Sequence, residues 1–176
     1  MAGHGGHVTT VCVAEGGGEA APLFLSGAQD GVMRVWDPRA AECVASCPLH
    51  NHGPSGAGAV GSIEVAPRSG RIVTAGADCR VNVLDPRAGW GELAREPCVL
   101  PDFPYSLRLV EGEDGSALAL SGCGDGTVHA HDIFADGEAL WAVGAGRAAG
   151  AARGVGAASG RLVTAWDDGN LRVWEM

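Results

Sequence analysis

The sequence predicts an all-β fold of repeated antiparallel sheets, and three observations carry that expectation. A Ser or Thr is followed four residues later by an Asp at a tight turn, and a bulky residue comes six residues after that Asp. This happens four times: Ser26, Asp30, Trp36; Thr74, Asp78, Leu84; Ser121, Asp125, His131; and Thr164, Asp168, Trp174. The sets lie 48, 47 and 43 residues apart, and a fixed internal period of this size marks supersecondary units stacked on their neighbours. The 29 glycines and 9 prolines suit a chain of short strands and tight turns, because Gly supplies positive φ and Pro presets a turn. No stretch sustains the apolar i, i+3, i+4, i+7 spacing of an amphipathic helix.

The elements follow in order. Unit 1 (4–50) alternates over 8–14 as VTTVCVA. It continues in 23–28 and 32–37, which form a hairpin around Gln29-Asp30-Gly31, and ends with a strand at 42–47. An Asp-Gly turn between β-rich runs is a strong hairpin signal. Unit 2 (51–100) follows a Gly-rich loop at 51–58, with strands expected at 60–66, 71–76, 80–85 and 92–100. Asp37-Pro38-Arg39 and Asp85-Pro86-Arg87 make matching turns in the two units. Unit 3 (101–145) offers 105–110, 117–122, 127–133 and 139–143. Unit 4 (146–176) offers 151–158, 161–165 and 171–175, one strand fewer than the others.

The end units read LFLSGAQDGVMRVWD and RLVTAWDDGNLRVWE, and Gly3-His4 precedes the first. Dipeptide, spacing and Trp-Asp endings together strongly resemble the WD40 repeat, the blade of a β-propeller. The resemblance implies that His4 bonds Asp30 in the turn and Ser26 in the strand, with Ser26 reaching the Trp36 indole. Thr74 with Asp78, Ser121 with Asp125, and Thr164 with Asp168 and Trp174 would hold equivalent places. The pattern is incomplete elsewhere: Leu84 and His131 stand where Trp is expected, and His50 or His52 would have to fold back for unit 2. No His precedes units 3 and 4 at the expected place. Propellers have about 4–8 blades and close to remove sheet edges, and the resemblance implies a ring of about seven. Four blades, the last lacking its outer strand, therefore imply a fragment or a partial ring completed by another chain or by missing sequence.

Charge narrows the function. The net charge is −9, and all 12 basic residues are Arg. An acidic chain is a poor general nucleic-acid binder, since phosphate contacts need a basic surface. No signal-peptide segment or apolar run of membrane-spanning length is present, so a soluble cytoplasmic protein is expected, with the nucleus also open to it. The six cysteines are scattered and expected as thiols rather than disulfides.

Several motifs invite chemistry and have plainer readings. His4, Ser26 and Asp30 are the ingredients of a nucleophile–base–acid set, but triads are recognised by geometry and no G-x-S-x-G elbow is present. The resemblance reads them as a structural network. Cys43 and Cys47 with His50 and His52 are metal-ligand types. Alternation places both thiols on one strand face, about 13 Å apart and too far to share a zinc. Gly144 to Ala149 fits G-x-G-x-x-A but is followed by more glycines rather than a helix. No enzyme activity, metal or cofactor is expected.

The expected function is a scaffold for protein–protein interaction through propeller faces and loops. Candidate contacts are Arg39 and Arg87 at the turns, and Trp90, Phe103 and Tyr105 on the irregular stretch 87–105, because binding concentrates on loops of rigid scaffolds. The remaining tryptophans, Trp141 and Trp166, are either further contacts or packing between blades. Trp36-Asp37-Pro38-Arg39 and Leu84-Asp85-Pro86-Arg87 also resemble the WDxR box of substrate receptors for cullin ubiquitin ligases. There an exposed Arg contacts the ligase adaptor, a role its planar fork suits. An Asp-Pro-Arg turn with a solvated tip is the simpler reading.

Overall fold

A computed structural model describes residues 3–15, 21–40, 42–51, 58–135 and 139–176, apart from the side chain of Arg147. His52 lies outside the described residues. The described residues form four antiparallel sheets, each a meander of consecutive strands. The first holds β1 (Val8–Ala14), β2 (Leu23–Ala28), β3 (Val32–Asp37) and β4 (Glu42–Pro48). The second holds β5 (Val60–Val65), β6 (Ile72–Gly76), β7 (Arg80–Leu84) and β8 (Cys98–Val99). The third holds β9 (Pro104–Glu111), β10 (Ala117–Cys123), β11 (Thr127–Asp132) and β12 (Trp141–Gly144). The fourth has β13 (Ala152–Ala158), β14 (Arg161–Trp166) and β15 (Leu171–Glu175).

Each sheet buries one face on the next, and the alternation of each strand decides which residues meet. Leu25, Met33 and Val35 of the first sheet pack on Ile63, Ile72 and Leu84 of the second. Val73, Ala75, Val81 and Val83 of the second pack on Leu107, Ala117 and Ala119 of the third. Leu120, Val128 and Ala130 of the third pack on Ala152, Leu162 and Trp166 of the fourth. The rule is constant: the face opposite the Ser/Thr of one sheet stacks on the Ser/Thr face of the next. Among the described residues, no further core cluster joins the fourth sheet to the first.

The outer strand expected over 92–100 is shorter than the sequence suggests. Leu93 bridges Leu84, and Ala94 N–H donates to Val83 C=O at 2.7 Å, but the ladder resumes only at Cys98–Val99. Pro97 supplies no N–H at the break. A second departure from plain alternation recurs at one place in every sheet. The inner strand carries a bulge beside the Asp turn, at Val8/Thr10, Val60/Ser62, Pro104/Ser106 and Ala152/Gly154. The unpaired inner-strand residues are Thr9, Gly61, Tyr105 and Arg153, because a bulge leaves its extra residue out of the ladder. No described helix is long and apolar enough to cross a membrane.

Candidate functional site

The polar residues singled out by the repeat lie between or beside the sheets, at the end where the inner hairpins turn. In blade 1 the bonds run in one direction. The Trp36 indole N–H donates to Ser26 Oγ at 2.8 Å, and the Ser26 hydroxyl donates to His4 Nε2 at 2.7 Å. His4 Nδ1–H lies 3.2 Å from each Asp30 oxygen. Gly5 N–H and Val32 N–H also donate to Asp30, at 2.7 and 3.1 Å. Burial pushes the Asp30 carboxyl up, but these N–H donors and His4 outweigh it and hold it below the usual range. Ser–His–Asp order is met here, yet Ser26 is only 7% exposed. Its oxygen already holds the Trp36 proton, whereas a nucleophile needs an open approach. The set ties the segment before β1 to the β2–β3 turn.

Blade 2 repeats the fastening more deeply. His50 Nδ1–H donates to Asp78 Oδ1 at 2.7 Å, and the Thr74 hydroxyl donates to His50 Nε2 at 2.8 Å. Asn82, opposite Thr74, donates to Leu49 C=O at 3.1 Å and helps hold the backbone entering His50. The ring needs Gly76: a Cβ there would stand 2.2 Å from His50 Nδ1. Leu84 takes the Trp position and is fully buried in the core, so apolar contact replaces the indole bond.

Blades 3 and 4 are fastened differently. In blade 3 the Thr127 hydroxyl donates to Asp125 Oδ1 at 2.6 Å and accepts from His129 Nε2 at 2.8 Å. Ser121 Oγ and both ring nitrogens of His131 are buried without a described partner. In blade 4 the indoles of Trp166 and Trp174 donate to Thr164 Oγ1 at 2.7 and 3.0 Å. Arg172 pairs with Asp168 at 2.6 Å. Trp166 thus caps Thr164 where blades 1 and 2 use His, and at 4% exposure it is a packing residue. The sequence signal was present in RLVTAWDDGNLRVWE, but only as an extra Trp beside the repeat.

The five candidate contact residues divide between the two ends of the sheets. Arg39 and Arg87 follow the third strand, at the end away from the Asp turns, and have matching geometry. Each donates from its N–H and Nε to its own Asp Oδ1, and from Nη2 to Oδ2 at 2.6 Å. Their side chains are 65% and 71% exposed. The Arg39 fork and N–H hold the Asp37 carboxyl down to about 2. Trp90 packs half-buried against the blade 1–2 core, and its carbonyl accepts from Cys47 Sγ at 2.9 Å. Phe103 and Tyr105 lie at the opposite end, rings tilted at 4.8 Å. The bulge residue Arg153 covers the Tyr105 ring at 3.9 Å and pairs with Asp167 at 2.6 Å. The bulge that exposes Tyr105 leaves no mark in the residue pattern.

The remaining motifs resolve locally. Cys43 and Cys47 do not share a face. A bulge after Val35 sets Cys43 opposite Trp36 while Cys47 stays opposite Met33, so Cys43 lies beside Arg34 on one side and Cys47 lies in the core on the other. No described group of His, Cys, Asp and Glu gathers for a metal, and none of the six cysteines is in a disulfide. Gly144 ends β12, and a single 3-10 turn at Arg147–Ala149 leads to β13, which leaves no helix to receive a dinucleotide phosphate.

Three four-stranded meanders and one three-stranded meander, stacked face on face, define the blades of a β-propeller fold, and in the first two a His joins the Ser or Thr to the Asp of the inner hairpin. Residues 1–37, the first blade up to Asp37, match the family model described as WD domain, G-beta repeat. No curated protein sequence matches the chain. Among solved structures, it is similar to the computationally designed Ika4 protein, with 20% identity and a TM-score of 0.70 over 99% of this chain and 94% of that one. It is likewise similar to the computationally designed Ika8 protein, with 20% identity and a TM-score of 0.72 over 99% of this chain and 47% of that one. These likenesses concern the fold.

Proposed function

We propose that the chain is a non-enzymatic scaffold for protein–protein interaction, and that its first partner is a second copy of itself. One observation carries this reading. The outer face of blade 1 exposes Val11, Val13 and Phe24, and the outer face of blade 4 exposes Val163, Leu171 and Val173. Val11 is 64% exposed and Leu171 71%, at sheet positions that the inner blades bury. The two faces are also of opposite kinds. Blade 1 offers the Ser/Thr face, and blade 4 offers the face that stacks on it in all three internal interfaces. Two copies meeting head to tail through two such contacts would close a ring of roughly eight blades, the upper end of the usual range. Six cysteines without a disulfide suit a reducing compartment such as the cytoplasm.

Sedimentation equilibrium tests the reading. The wild type should sediment at twice the 17.8 kDa of one chain. Val11→Asp or Val173→Asp should give monomers with unchanged far-ultraviolet dichroism. A stable wild-type monomer at tens of micromolar overturns the self-association.

A second reading rests on the matched Asp37–Arg39 and Asp85–Arg87 turns, which put two exposed guanidinium heads on one end of neighbouring blades. We propose that this pair serves a cullin-ligase adaptor, with the chain as substrate receptor. Arg39→Ala with Arg87→Ala should abolish co-purification with the adaptor and leave the denaturation midpoint unchanged, because exposed pairs stabilise little. Retained adaptor binding contradicts it.

A further inference from the structure

The Trp position of blade 3 is occupied by His131, and the smaller ring stands beside a cleft of about 550 Å³ between the outer strands of blades 2 and 3. Volumes of about 300–1,000 Å³ are those of small-molecule sites. Pro97, just before β8, Val99 of β8 and Trp141 of β12 form apolar walls, while His129 and His131 line it from β11. His131 is 2% exposed, and neither of its ring nitrogens has a described partner. Arg95, next to the lining residue Glu96, is 8% exposed, and its Nε and Nη2 are likewise buried without a described partner. Buried donors without acceptors are costly, and a buried guanidinium more so. Beside the cleft, then, lies a buried guanidinium with two nitrogens that have no described partner.

We propose that this cleft binds a small monocarboxylate carried on an apolar body. The carboxylate accepts from His131 N–H within the field of Arg95, and the body lies against Pro97, Val99 and Trp141. Glu96 on the lining opposes a second negative charge, which favours a carboxylate over a phosphate dianion. Burial first, then the Arg95 charge and the His129 ring, act against protonation of His131. His131 therefore offers one N–H from a neutral ring, and the ligand's negative charge answers Arg95.

The test is titration of the whole chain with 2-naphthoate, 2-naphthamide and naphthylphosphonate, followed by histidine-ring NMR. Naphthoate should shift the His131 resonances saturably and bind at least about tenfold more tightly than either comparison compound, a difference of about 1.4 kcal/mol. His131→Trp should abolish binding and raise the denaturation midpoint, because an indole fills the cleft and can donate to Ser121 as Trp36 does to Ser26. A blocked peptide with one Glu between apolar residues separates the two sources of such a group. Binding of peptide and naphthoate assigns the cleft to a partner's acidic side chain, and binding of naphthoate alone assigns it to a free small molecule. No shift at His131, equal affinity for the amide, or undiminished binding by a folded His131→Trp chain overturns the proposal.

Discussion

The imidazole of His50 and the carboxylate of Asp78 meet at 2.7 Å with neither side chain exposed to solvent. The pair sits between blades 1 and 2, and Thr74 and Asn82 close around the ring. Removing the imidazole leaves a buried carboxylate without its main partner, and breaking a buried pair in this way costs about 3–5 kcal/mol. His50→Ala should therefore destabilise the chain by about 3 kcal/mol in urea denaturation. His4→Ala should cost about 1 kcal/mol, because Asp30 is partly solvated and keeps the Gly5 and Val32 donors.

Stability should fall in two stages on acidification. Burial, then Arg95 and His129, press His131 down to about 4 from an ordinary value of 6.5. Between those values the unfolded chain takes up a proton that the folded chain refuses, so stability drops as pH falls from about 6.5 to 4. Asp30 and Asp78 act lower. Their folded pKa values lie below the ordinary value of 3.8, so their stabilisation is present above about pH 4 and lost beneath it. Urea midpoints measured across pH should show both stages in the wild type. His131→Phe should flatten much of the upper stage, to which His129 also contributes, and leave the lower one.

Close approach gives a sharper contrast between two glycines. Gly76→Ala would drive a Cβ into the His50 ring, with three ring atoms within 2.8 Å, and should cost more than about 2 kcal/mol. Gly156 lies in β13, and a Cβ there would meet nothing within 4 Å. Gly156→Ala should be neutral or gain up to about 1 kcal/mol. Thermal unfolding of the two variants compares them directly.

Sequence and structure agree most closely where the repeat is strongest. The paired spacing of Ser26 with Asp30 and of Thr164 with Asp168 marks the inner hairpins, because a tight turn between alternating strands constrains residue type on both sides. The outer edges are less legible. Pro97 interrupts the strand expected at 92–100, and the bulge after Val35 turns Cys43 away from Cys47, since one extra residue reverses every face beyond it. His50 and His52 are equivalent in sequence, and the close approach of His50 to Gly76 becomes visible only when the strands are placed. Trp166 reads as an unassigned aromatic because its indole answers Thr164 from two residues away on the same strand, a contact outside the repeat's spacing. The cleft beside His131 is signalled only by a missing Trp.

Amide hydrogen exchange, measured as a function of protein concentration, tests the central claim most directly. If two copies close through their terminal blades, protection should rise at β1, β14 and β15 over one concentration range, with the strands of blades 2 and 3 unchanged. Protection at the terminal blades that stays constant from sub-micromolar to hundreds of micromolar protein would contradict the account.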